Sequence, residues 1–378
     1  MTPGLVVPAG PRSLEELVSQ RFPLVPRPKP ACAPVADRIR RVHHQTRRAA
    51  SCDGTALLHA AEAHNLAALI LSDCGMSGQA RALCRRQFTV FAGYGPFDQA
   101  TAKLALQPLI NIGRLDTRAG NGHAAYQLHQ AMLEVAKART ATTLDGQPVD
   151  LARIIRPGDD HREIVGWLWT VLLADGLRAL CRAGRWSEAH AQAERHHGIG
   201  DRLLDGRQIA IIHHSTAGEH ATALRLLGTT AIDTPWEQAV AACLKVLCLR
   251  HAGELASADV HAMLAAYLSL TPEPLHTAFA VRLAVTAAAL SGSTTDTRPV
   301  LQKAAQLAAD TADAYAAQEV LTLADQSMAG DPITSFLHDT VTQASLGTRI
   351  SDQLLNDLMS AVATSEQHLT RGLAVGPD

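Results

Sequence analysis

Aromatic residues make up only 4% of this 378-residue chain, which denies a β-sandwich or barrel the side chains its strands favour. Neither sign of charge dominates. With 34 Lys and Arg against 36 Asp and Glu the net charge is -2, so there is no overall basic excess of the kind that holds nucleic acid or an anionic membrane surface. The seven cysteines (Cys32, Cys52, Cys74, Cys84, Cys181, Cys243 and Cys248) form no CxxC pair. A chain this long does not need disulfide staples, and a reducing cytoplasm is the expected location. No apolar run reaches about 18 residues, and Met1 to Ser13 lack the basic start and apolar core of an export signal. Neither export nor membrane anchoring is expected. Also missing are a glycine-rich phosphate loop, a GxSxG elbow, a Cys-His nucleophile signature and an HExxH pair. The patterns Gly93-Tyr94-Gly95 and Gly198-Ile199-Gly200 have no strand before them and read as turns.

What is present is alanine in almost every segment and 47% hydrophobic residues, a composition that suits closely packed helices and argues against disorder. Apolar residues recur at helical spacing, as at Ala63, Leu66, Ala67, Ile70 and Leu71. The expected class is therefore all-α. Eight prolines between Pro3 and Pro34 predict an arm over residues 1–35 that is partly disordered, with one short helix near Leu14 to Gln20. A helical array is expected over 36–270, interrupted near 140–160 by a polar loop or inserted element containing Gly146, Pro148, Pro157 and Gly158. Further helical hairpins are expected over 271–363, and a flexible tail over 364–378.

Five segments carry a glycine with an alanine five residues later: Gly75 with Ala80, Gly120 with Ala125, Gly184 with Ala189, Gly218 with Ala223, and Gly253 with Ala258. Glycine permits the left-handed residue that ends one helix, and alanine lets the next helix pack close against it. The last three glycines lie 34 and 35 residues apart, the length of a tetratricopeptide unit. Leu180 to His196, with Trp186 two residues after its glycine, resembles such a unit especially well. Over about Ala60 to Leu270 the chain is similar to tetratricopeptide repeat proteins, and its alanine- and arginine-rich style is similar to that of actinobacterial proteins. It departs from the family in the 64 residues between Gly120 and Gly184 and in lacking most of the terminal prolines.

The resemblance implies an α-solenoid whose first helices line a concave groove. Counting back from each glycine places Asn65, Gln107, Arg114, Arg118, Arg178, Arg182, Gln208 and Arg250 on that groove as candidate ligand-binding residues. Five arginines there would favour an acidic peptide, a protein tail or a small anion, because guanidinium binds carboxylate and phosphate at two points. The expected function is a non-catalytic regulator or adaptor. Two alternatives stay open: an enzyme or accessory protein of peptide or natural-product biosynthesis with an enclosed pocket, and a DNA-binding regulator using Arg38, Arg40, Arg41, Arg47 and Arg48. No cofactor, no catalytic residue and no metal are expected, nucleic acid and membrane are not expected partners, and a homodimer is left open. Eighteen histidines raise the question of a metal, but adjacent histidines on a helix point about 100° apart. Asp159, Asp160, His161 and Glu163 read as the negatively charged start of a helix rather than an acid/base cluster.

Overall fold

The computed structural model describes residues 13–51, 54–292, 295–328 and 330–375. In chain order the helices are α1 (Leu14–Arg21), α2 (Val35–Arg48), α3 (Ala56–Asp73), α4 (Ser77–Ala92), α5 (Gln99–Arg118) and α6 (Gly122–Ala138). A hairpin of β1 (Ala141–Leu144) and β2 (Gln147–Asp150) precedes α7 (Leu151–Ile154) and α8 (Asp159–Val171). A π turn (Leu172–Gly176) then leads into α9 (Leu177–Arg182) and α10 (Trp186–Arg195). There follow α11 (Asp205–Thr216), α12 (His220–Gly228), α13 (Pro235–Ala252), α14 (Ser257–Leu268), α15 (Thr277–Ser291), α16 (Arg298–Asp310), α17 (Ala314–Ser327), α18 (Pro332–Gln343) and α19 (Asp352–Val375). The protein is all-α in the sense expected, with 73% of it helical and almost no strand.

The chain divides into two compact units. Unit 1 takes the chain up to Ala33 together with Leu180–Ala344, and unit 2 takes Pro34–Ala179 with the chain from Ser345 onward. These divisions fall at 33/34, 179/180 and 344/345, not near residue 270.

The helical hairpins arise as the glycines suggest. Gly75, Gly120, Gly184, Gly218 and Gly253 all have φ between 71° and 83°. In each case the glycine N–H bonds three residues back and the next N–H bonds five back, as in Gly75 N to Ser72 O and Met76 N to Leu71 O. This pairing satisfies carbonyls that the helix end would otherwise leave open. Ala312, at φ 45°, makes the same pair of bonds between α16 and α17, a turn that no search on glycine would find.

Ala80, Ala125, Ala189 and Ala223 are fully buried, each three residues after the start of its helix. Ala258 is a correction: it is exposed. After Gly253 the helix begins two residues later than in the other turns, so Val260 takes the buried place. Replacing Ala189 or Ala223 by Leu should therefore cost about 1–3 kcal/mol by overpacking, and Ala258→Leu less than about 0.5 kcal/mol. Urea denaturation of the three variants checks this, and equal midpoints would show that the contact is not tight.

In unit 2, α19 packs on α2, α3 and α4, while α3 touches α5 and α5 touches α8. The 140–160 insertion is the β-hairpin with α7. Its turn residues Asp145 and Gly146 both have positive φ, the requirement of a tight two-residue hairpin turn. The Asp145 carboxylate is gripped by Arg81 and, at 2.7 Å, by Arg85. The expected flexible tail is instead helical through Val375 within α19, with Leu369 and Leu373 buried; the residues beyond it lie outside the described ones.

In unit 1 each helix from α10 to α18 packs on the next, and α11, α13, α15 and α17 also touch in sequence. In the N-terminal arm the expected short helix is present as α1. From Ser13 the arm is packed, with Leu17, Val18, Phe22 and Leu24 buried; the residues before Ser13 lie outside the described ones. Two helical stretches, Asp159–Arg182 and Pro274–Ser291, have the length and mean hydropathy of a membrane span, but 50% and 61% of their 18-residue apolar windows is buried within the fold. The six described cysteines are buried; Cys52 lies outside the described residues.

Candidate functional site

Four of the eight residues expected on the groove, Asn65, Gln107, Arg114 and Arg118, lie together in unit 2. Asn65 of α3 accepts a hydrogen bond from Asn111 Nδ2 of α5 at 3.2 Å, and Gln107 Nε2 donates to Asn111 Oδ1 at 3.0 Å. Arg114, one turn further along α5, donates to the same Asn111 Oδ1 at 3.3 Å. Its guanidinium also reaches Asp175 Oδ2 in the π turn through Nε at 3.0 Å and Nη2 at 2.8 Å. At the end of α5, Arg118 bonds Ser72 and lies 3.2 Å from Asp73 of α3. Three neighbouring helical segments thus lay one continuous polar seam across their surface.

Electrostatically the seam is not the positive trough that the arginines alone suggest. Burial opposes ionisation of Asp175, but Arg114, then His129 and Arg178, outweigh it and hold the carboxyl below its ordinary value. Asp73 is nearly fully enclosed and takes Arg38 as well as Arg118. Arg114 and Arg118 are neutralised by carboxylates within the fold.

Beneath the seam lies His129 of α6, fully buried, with no hydrogen-bond partner on either ring nitrogen among the described residues. Burial lowers its pKa to about 4, against a raising influence of Asp175. The ring occupies space left by Gly113, where a Cβ would come within 2.5 Å of Nε2, while a Cβ at Gly176 would meet Leu172 and Tyr126. A π turn adds a residue to the helix and commonly marks functional places. Here it carries Asp175 to Arg114 and Gly176 to the packing of Tyr126 and His129.

The other candidates sit elsewhere. Arg178 is half-buried in unit 2 behind Asp175. Arg182, Gln208 and Arg250 belong to unit 1 and are engaged with its main chain: Arg182 donates to Gln20 O at 2.6 Å, Arg250 donates to Leu290 O at 2.6 Å, and Gln208 is fully buried against Leu24 and Leu203. Asn111, Asp175 and His129 escaped the sequence reading. Asn111 and Asp175 lie at the same distance before Gly120 and Gly184, outside the offsets counted from those glycines.

The remaining sequence candidates resolve into structural roles. Asp160 accepts from Gln99 N at 2.9 Å, at the start of α5, and His161 pairs with Ala136 O. On α2, Arg38, Arg40 and Arg41 pair with Asp73, Asp37 and Glu62. His190, His213 and His214 gather in unit 1 with ring centroids 4.5–5.2 Å apart, yet among the described residues no three or more His, Cys, Asp or Glu are arranged to hold a metal ion. Compared with protein-family models, with curated proteins and with solved structures, the chain matches none of them.

Proposed function

We propose that this chain is a non-catalytic interaction protein of tetratricopeptide-like build, a cytoplasmic adaptor or regulator that binds an extended peptide or protein tail along the seam of unit 2. The build is supported by hairpins that share one glycine turn and by first helices that touch in sequence. The observation that carries the ligand is the carboxamide row Asn65, Asn111 and Gln107. A carboxamide offers both donors and an acceptor, the complement of a peptide unit. These three now satisfy one another and can exchange those bonds for a ligand's main chain at little net cost, since one hydrogen bond replaces another. The flanking pairs Arg114 with Asp175 and Arg118 with Asp73 would read charge at either end, so an acidic segment is one candidate among peptides. A DNA-reading role has less support, because the carboxylates beside Arg38, Arg40 and Arg41 oppose a phosphate there.

Selection of a random displayed peptide library on the full chain tests this. Peptides that bind should lose at least tenfold in affinity with Asn111→Leu and with Arg114→Ala, and nothing with Arg40→Ala. Binders indifferent to both seam variants would refute it.

A further inference from the structure

In unit 1 the helices already hold the chain's own residues 13–33, the short helix α1 followed by an extended segment from Phe22 to Ala33. Much of the grip is on main chain. Gln208 Oε1 accepts from Leu24 N at 2.7 Å while its Nε2 donates to Leu24 O at 2.8 Å. Arg182 donates to Gln20 O. Lys29 N donates to Leu275 O at 2.9 Å, Asp313 accepts from Cys32 N at 2.8 Å, and Ala314 N donates to Cys32 O at 3.1 Å. Contacts of this kind hold the path of a backbone whatever its side chains, as in a peptide bound from outside.

Side chains then set the class of segment. Arg21 pairs with Glu319, which Arg282 steadies at 2.6 Å. Arg27 meets Asp205 at 2.8 Å, and Lys29 Nζ lies 3.3 Å above the ring of Tyr315. From Arg21 to Ala33 the segment has three cations, no carboxylate and prolines at 23, 26, 28 and 30. Such spacing favours an extended chain in water, so little conformational freedom is lost on docking. Pro28, Lys29, Pro30 and Ala31 are exposed, and the bond from Ala33 to Pro34 ties the segment to the helices that follow it.

We propose that the face of unit 1 formed by α11, α15 and α17 is a binding surface for an extended, cationic, proline-spaced segment of another polypeptide, and that residues 13–33 are its tethered and exchangeable occupant. The proposal concerns residues distinct from the unit 2 seam, so either reading stands or falls without the other. A tether of this length holds its segment at an effective concentration on the order of millimolar. An outside segment therefore competes poorly until the arm is weakened.

The test inserts a protease recognition sequence between Ala33 and Pro34 of the full chain and uses a fluorescent synthetic peptide of residues 13–33 as probe. After cleavage the probe should bind saturably by anisotropy, with helicity by circular dichroism unchanged, and the uncut protein should bind it at least 100-fold more weakly. Glu319→Gln in the cleaved protein should weaken the probe at least tenfold. In a second variant, Arg27→Glu with Lys29→Glu in the extended part of the uncut arm should raise affinity for the wild-type probe at least tenfold. A cleaved protein that exchanges no probe within a day, or that loses its helicity as the arm departs, would overturn the proposal and make the arm a fixed part of the core. So would an affinity left unchanged by the charge-reversed arm.

Discussion

Gly206→Ala is expected to be among the most damaging single-methyl changes this protein can suffer, lowering stability by about 3 kcal/mol. Gly206 lies in the first turn of α11, where a Cβ would come within 2.1 Å of the main-chain oxygen of Gly198 and 2.8 Å of its carbonyl carbon. Those atoms are backbone, so no rotamer change can clear the way. Either the loop carrying Gly198-Ile199-Gly200 or the start of α11 must move by about 1 Å, and Asp205 and Gln208, flanking Gly206, hold the arm. For a unit of this size the loss corresponds to a fall in Tm of about 6–12 °C. Gly200→Ala is the matched control. Nothing lies within 4 Å of a Cβ there, and a change of less than about 0.5 kcal/mol is expected. Thermal melts that cannot tell the two variants apart would show that the loop yields freely.

The second large effect is acid sensitivity from His129. Its folded pKa is depressed to about 4 because burial disfavours the imidazolium, with Asp175 pulling the other way and Arg114 adding to the depression. Above pH 6.5 the ring is neutral folded and unfolded and contributes nothing to pH dependence. As pH falls below 6.5 the unfolded chain takes up a proton that the folded chain refuses, and stability drops until about pH 4, below which both forms are protonated. The interval corresponds to about 3 kcal/mol. His64, whose pKa is likewise lowered mainly by burial, adds in the same direction. His129→Leu should remove the His129 part of the dependence between pH 6.5 and 4, measured as urea midpoints at half-unit steps. Wild type and variant curves that stay parallel through that interval would mean that the imidazolium is accommodated, and that the Gly113 space is looser than its contacts indicate.

Both effects turn on glycines that the sequence does not distinguish from its others. Gly75, Gly120, Gly184, Gly218 and Gly253 were legible because each ends an amphipathic run and must take a positive φ, a local requirement written in one residue type. Gly113 and Gly206 sit inside helices at ordinary φ, and their necessity comes from atoms distant in the chain: the ring of His129 and the carbonyl of Gly198. Ala312 shows the reverse case, a left-handed residue without a glycine. The seam was legible in part for the same reason. Asn65, Gln107, Arg114 and Arg118 follow from counting along the helices, whereas Asp175 lies outside the offsets counted and meets Arg114 from the π turn, and its carboxylate turns a supposed basic wall into paired charges.

Helical class, the hairpin turns and the buried alanines at Ala80, Ala125, Ala189 and Ala223 were determined by the sequence itself, because helix periodicity, glycine φ and side-chain size act within a few residues of one another. Which helices share a unit, where α19 returns to pack, that the proline-rich arm is held rather than loose, and that its cations meet Glu319 and Asp205 were decided by tertiary structure alone. The prolines at 23, 26, 28 and 30 rule out helix and favour extension; they carry no information about what an extended segment lies against. That depends on hydrogen-bond partners such as Gln208 and Asp313, which only the folded chain brings near: 184 residues separate Leu24 from Gln208, and 281 separate Cys32 from Asp313.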